Sequence, residues 1–228
     1  QECLVSKAVG NPFELLEMPK TEKIFKRMNM ALIGHNRYST VGESTRRNAH
    51  PFQFDGLVGV HNGTLTNKYQ LDDSTNFKVD SEAIYNHMDK HGVRAVVDII
   101  QGAWSLVWYD FNNHTLNFLR NKERPMFLAW DTEGKNLFWA SEKWMMYIGA
   151  QRNELTINAA FATEVDMHYE FAVAPDGIIS APKVTPMAAK IPLYQGTWYN
   201  GQQHQQTKKP DNVSITPTGK VVVFPKKE

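Results

Sequence analysis

The sequence predicts an α+β fold, in which antiparallel hairpins form sheets and separate helices layer on them. Three observations carry this. Ala103 to Asp110, a turn at Asn112-Asn113 and Thr115 to Arg120 read as one β-hairpin. Met126 to Trp130, the turn Asp131-Thr132-Glu133-Gly134 and Leu137 to Ala140 read as a second. Before them, Val93, Val96, Val97 and Ile100 recur at i, i+3, i+4 and i+7, the period of an amphipathic helix.

The other elements follow in chain order. Leu4 to Leu16 reads as a strand entering a loop at Gly10-Asn11-Pro12, and Thr21 as the cap of a helix through Met30 with Ile24, Phe25 and Met28 on one face. Ala31-Leu32-Ile33-Gly34 is a short buried strand ending in the polar run His35 to Thr40. Leu57-Val58-Gly59-Val60 is another, stopped by His61-Asn62-Gly63. Asp80 is placed to cap a helix from Ser81 to about Lys90, closed by Gly92. Ser141 caps a short helix through Tyr147, and Met167 to Ala174 is a strand before the Pro175-Asp176-Gly177 turn. Beyond about Ser180 the chain turns rich in Pro, Gln, Lys and Gly, and Gln202 to Lys209 is nearly all polar. Residues 1–180 are therefore expected to form the body, and 181–228 a polar extension or docking arm.

Composition narrows the function classes. With 228 residues, 42% hydrophobic and 21% charged, the chain can bury a core without metal or disulfide staples. A formal net charge of +1 provides no general attraction to nucleic acid or anionic membrane. Cys3 is the single cysteine, so no internal disulfide or multi-cysteine metal site can form. No stretch approaches the roughly 20 apolar residues of a membrane span, and Gln1 to Val5 lacks the features of a signal peptide. A cytoplasmic location is the expectation.

Three short segments can carry chemistry. Arg37 follows a buried strand, where a guanidinium can grip a carboxylate through two parallel hydrogen bonds. Asn62-Gly63 offers a side-chain amide and a closely approachable N–H, the makings of an oxyanion hole. Asp80, at a helix start, can bind an ammonium group. Taken singly, each has a plainer reading: a surface ion pair, a turn and a helix cap.

Their order changes this. Gly34-His35-Asn36-Arg37-Tyr38-Ser39-Thr40, Asn48-Ala49-His50-Pro51, Val60-His61-Asn62-Gly63-Thr64-Leu65 and Val79-Asp80-Ser81-Glu82 occur in sequence, followed by Gly102 to Val107 and Leu119-Arg120-Asn121 to Pro125. In these segments the chain resembles the class II glutamine amidotransferases, glutaminase domains of the N-terminal-nucleophile (Ntn) hydrolase superfamily. The resemblance implies a four-layer α-β-β-α sandwich of two mostly antiparallel sheets. It implies that Arg37 binds the α-carboxylate of glutamine, Asp80 its α-ammonium, and that Thr40 lines the same pocket. Asn62 and Gly63 would form the oxyanion hole, with His50 and His61 orienting loops. The implied activity is hydrolysis of the glutamine side-chain amide by a cysteine, with no metal or organic cofactor. The ammonia would be released by a stand-alone glutaminase or handed to a separate synthase subunit, and oligomers are compatible with this. The compact arginine loop and small size suit a virus-encoded or otherwise minimal member, acting in a host cytoplasm.

The chain departs from the family at the nucleophile. The family's cysteine stands at the mature amino terminus, and its own α-amino group serves as the base. Cys3 lies behind Gln1-Glu2, precedes Leu4-Val5-Ser6-Lys7 and is separated from Arg37 by 33 residues, about half the family's spacing. Cys3 is therefore not the expected nucleophile. The first strand and the cysteine are expected upstream. The alternatives are a non-catalytic structural or interaction protein on the same fold, and action by Cys3 after removal of two residues. His87 and His91 have metal-compatible i, i+4 spacing but no adjoining Glu, and are expected on a solvated helix face. Trp104, Trp108, Trp139 and Trp144 are expected to pack in the core and hairpins rather than to stack bases.

Overall fold

In the computed structural model, residues 2–27, 30–37 and 43–189 are described together with the backbone of 213–215 and 221–223. Two short helices, α1 (Pro12–Glu17) and α2 (Pro19–Phe25), precede β1 (Phe52–Gln53) and β2 (Leu57–Leu65). After two single 3-10 turns come α3 (Asp80–Val97), β3 (Gly102–Asp110), β4 (Thr115–Arg120), β5 (Phe127–Trp130) and β6 (Leu137–Ala140). Then follow α4 (Lys143–Arg152), β7 (Phe161–Ala162), β8 (Met167–Ala172) and β9 (Lys183–Pro186). One sheet runs β1-β2-β3-β4-β8-β9 and the other β6-β5-β7, and every pairing in both is antiparallel.

Alternation along the strands builds the layers. Trp104, Leu106 and Trp108 of β3 face α3, where they pack with Ile84, Tyr85, Val96 and Val97. Val107 and Tyr109 point the other way, with Leu116, Phe118, Tyr169 and Phe171, onto Leu128 and Leu137 of the second sheet and onto Met126 just before it. Beyond that sheet, Ala129 and Ala160 pack on Met146 of α4. The order is helix, sheet, sheet, helix: an α+β sandwich of four layers.

α3 lies close to the first sheet because β2 has no side chain at Gly59. A Cβ there would lie 2.3 Å from Cε1 of Tyr85. The Tyr85 ring is fully buried, and its hydroxyl donates to the Val60 carbonyl at 2.5 Å, with the Val107 carbonyl 3.1 Å away. Tied at its far end, the ring has little room to yield. Gly59→Ala is expected to cost about 1–3 kcal/mol through overpacking and to lower Tm by roughly 2–12 °C. Thermal unfolding followed by circular dichroism checks this, and an unchanged Tm would contradict the packing.

Several expected elements are corrected. The strand expected over Leu4 to Leu16 is absent, because Asn11 accepts from the Phe13 N–H and Pro12 occupies the first turn, which starts α1 instead. Met18 is extended (φ −67°, ψ 133°) ahead of Pro19, separating α1 from α2. The helix expected from Thr21 to Met30 is thus α2, which buries Ile24 but leaves Phe25 54% exposed; Met28 lies outside the described residues. Ala31 to Gly34 forms no strand. β2 does not stop at His61: it continues to Leu65 because β3 offers it a backbone partner as far as Gly102. Asp80 is the first residue of α3 and not its cap, which is Val79 without a side-chain bond. Ser141 likewise gives way to Glu142 at the start of α4. The expected break at Gly92 is present, with non-helical φ 80° and ψ 168°.

Trp104 and Trp108 are buried, and Trp139 meets Phe118 edge-on at 5.3 Å. Trp144 is 57% exposed, contrary to expectation, because α4 buries only Met146 and Ala150. His87 is buried, not solvated. The first compact unit spans Gln1–Ile191, past the boundary drawn near residue 180, since β9 pairs with β8. The second, Pro192–Glu228, contains an antiparallel pair, Val213–Ile215 with Val221–Val223; the polar run Gln202 to Lys209 lies outside the described residues. Among the described residues no helix is long and apolar enough to cross a membrane.

Candidate functional site

β2 and the start of α3 assemble one half of the site. By strand alternation, His61 lies on the α3 face, and Asn62 shares the face of Val58 and Val60, toward the second sheet. Asn62 is half-buried. Gly63 has φ +152°, and a Cβ on it would lie 1.9 Å from the Ala103 carbonyl oxygen and 2.7 Å from His61 Nε2. Only glycine fits that backbone.

Asp80 is anchored to the same stretch of strand. Its Oδ2 accepts from the Leu65 N–H at 2.8 Å, and its Oδ1 from the Ser81 N–H at 2.9 Å. The carboxylate also sits at the N-terminus of α3, where the helix dipole favours negative charge. Ser81 Oγ stands 3.4 Å from Asp80 Oδ1 and 3.0 Å from His61 Nδ1, which gives a buried chain His61–Ser81–Asp80. Sequence reasoning did not single out Ser81 as a link. The signal available was its position in a first helical turn, beside a carboxylate.

Three histidines meet beside this chain. The rings of His35 and His50 are 4.0 Å apart, and His50 meets Phe52 edge-on at 5.0 Å. Burial, with the neighbouring His61 and Arg37 charges, pushes His35 down to about 4, while a hydrogen bond to the His61 backbone opposes it. Burial pushes His61 to about 4 against the pull of Asp80, and His50 falls lower still. All three are neutral at pH 7, in keeping with orienting rather than charge-carrying roles. His50 has no hydrogen-bond partner on either ring nitrogen among the described residues.

Arg37 is half-buried and lines a cavity of about 870 Å³, together with His35, Ala49, His50 and Cys3. Asn62, Gly63 and Asp80 do not line that cavity. His35, which touches both Arg37's surroundings and the His61 backbone, joins the two groups. Cys3 is half-buried and burial raises its thiol pKa, so it remains a protonated thiol at neutral pH. Thr40 lies outside the described residues.

Residues 35–147 match the family model of a glutamine amidotransferase domain. A 7-cyano-7-deazaguanine synthase of Saccharolobus solfataricus is 28% identical over 153 residues, covering 60% of this chain and 32% of that protein. A glutamine–fructose-6-phosphate aminotransferase (isomerizing) of Caldanaerobacter subterraneus subsp. tengcongensis is 30% identical over 113 residues, covering 42% of this chain and 19% of that protein. Glutamine phosphoribosylpyrophosphate amidotransferase from B. subtilis, a solved structure, aligns with a TM-score of 0.49 at 18% identity, over 68% of this chain and 34% of that chain. The chain spans about a fifth to a third of the length of the curated relatives it matches.

Proposed function

This chain carries a class II glutamine amidotransferase domain, and we propose that the domain binds glutamine and hydrolyses its side-chain amide to release ammonia. The observation that supports this best is the anchoring of the Asp80 carboxylate by the Leu65 N–H, two residues along β2 from Asn62-Gly63. An ammonium-binding anion at the start of α3 is then tied to the same short stretch of strand that carries the pair of oxyanion donors.

In this reading the α-ammonium of glutamine pairs with Asp80 and its α-carboxylate with Arg37, which leaves the side-chain amide directed at Asn62-Gly63. Attack on the amide carbon by a cysteine thiolate develops negative charge on the carbonyl oxygen. The Asn62 side-chain N–H₂ and the Gly63 N–H stabilise that charge. Collapse expels ammonia as the proton taken from the thiol passes to the leaving nitrogen, and water then hydrolyses the thioester to glutamate and restores the thiol. Burial raises the Cys3 thiol pKa, which argues against Cys3 as the attacking group. The ammonia passes to an acceptor on a synthase, in line with the synthase and aminotransferase names among the relatives.

Binding tests the reading apart from turnover. Isothermal titration with glutamine is expected to show one site. Arg37→Ala and Asp80→Asn should each weaken it about tenfold or more, as expected for loss of a charge-assisted contact. Glutamine affinity that survives both substitutions would remove these residues from the pocket.

A further inference from the structure

The loop between β2 and α3 brings a carboxylate against the two histidines of α3. One donor atom from each of Asp72, His87 and His91 lies within 4.8 Å of the other two. Asp72 Oδ2 is 2.6 Å from His91 Nε2, and Asp72 Oδ1 is 3.5 Å from His87 Nδ1. The two rings stand 4.6 Å apart on successive turns. Their spacing is visible in sequence; the arrival of Asp72, 15 residues from His87, is not.

Two details point to a cation. The Asp72 N–H donates to His87 Nδ1 at 3.3 Å, which makes Nδ1 the lone-pair nitrogen of that ring. Nδ1 is thus unprotonated, as a metal ligand must be, and Asp72 Oδ1 stands 3.5 Å from it, so an ion bound between them would take the place of the N–H contact. The separations also suit a metal. Ligands at about 2.1 Å on a tetrahedral ion stand about 3.4 Å apart. The Asp72–His87 pair already has that spacing, and the Asp72–His91 pair, with side chains 44% and 45% exposed, is free to open to it.

We propose that Asp72, His87 and His91 form a zinc site, with three protein ligands and a fourth position open to water, which clips the loop before α3 to the helix. Two imidazoles and one carboxylate are the borderline donors that zinc favours over magnesium or calcium. His87 lies seven residues after Asp80, or about 10 Å along the helix, so the clip stands apart from the glutamine pocket. It ties the middle of the same loop whose two ends are joined by Asp80 and Leu65.

The full chain, stripped with EDTA and titrated with ZnCl₂, is expected to bind one equivalent by calorimetry. Its Tm should rise by roughly 5–10 °C when zinc stands a hundredfold above its Kd, whereas MgCl₂ leaves Tm unchanged. Asp72→Asn and His91→Ala alter exposed side chains, so both should fold; each should weaken zinc at least about tenfold and abolish the visible ligand-field bands of the Co²⁺-substituted protein. Absence of heat and of a Tm shift at micromolar zinc would overturn the site. Zinc binding of unchanged strength in both variants would do the same, since other residues would then hold the ion.

Discussion

Asn62→Ala is expected to lower the turnover of glutamine hydrolysis by roughly 100-fold or more, with KM changed by less than about threefold. The split follows from where the Asn62 side chain acts. Arg37 and Asp80 hold the two ends of the amino acid in both ground and transition states, so their loss acts on binding. The Asn62 amide meets a full negative charge only when the carbonyl becomes tetrahedral. Its removal therefore raises the barrier without loosening the substrate. Gly63→Ala should reduce turnover at least as far, for a different reason: the new Cβ would stand 1.9 Å from the Ala103 carbonyl oxygen, so the strand carrying both donors must shift. Ammonia release measured for the two variants, beside their melting temperatures, separates the cases. Asn62→Ala should retain the wild-type Tm and Gly63→Ala should not. Turnover unchanged in Asn62→Ala would remove that side chain from the oxyanion hole.

Lowering the pH from 7 to 4 should strip the fold of several kcal/mol, and the source is the cluster of His35, His50 and His61. In the unfolded chain these imidazoles take up protons near 6.5. Folded, burial holds His35 and His61 to about 4 and His50 lower. Between those values the unfolded state binds more protons, so stability falls as pH falls. The contribution is complete above about pH 6.5 and is lost progressively toward pH 4, on the order of 3 kcal/mol for each of His35 and His61. His168, also buried and also lowered, adds in the same direction. Urea unfolding at pH 7 and pH 5 measures the slope. A flat profile across that interval would mean that the three rings are not buried together.

Those histidines also mark a limit of reading the site from sequence. His35, His50 and His61 each fall in a recognisable motif, so their presence was legible. Their mutual packing was not, because it depends on the 35–37 and 48–51 segments folding against β2. The same holds for Asp80. Its place in a Val79-Asp80-Ser81-Glu82 segment pointed to a helix start, but local rules assigned its carboxylate to capping, whereas the fold directs it to the Leu65 N–H on a neighbouring strand.

By itself, the sequence determined the elements whose causes are local. The hairpins β3–β4 and β5–β6 stand where turn residues and alternating apolar positions put them, and α3 breaks at Gly92 as expected. The order of Arg37, Asn62-Gly63 and Asp80 was enough to indicate the family and its four-layer fold. Only the tertiary structure decided that β2 runs on through Asn62-Gly63, since the strand that extends it there, β3, comes some 40 residues later. It alone decided that Ser81 links His61 to Asp80 and that Asp72 reaches His87 and His91. Each of these depends on a partner brought close by packing, and neither periodicity nor spacing along a chain encodes that distance.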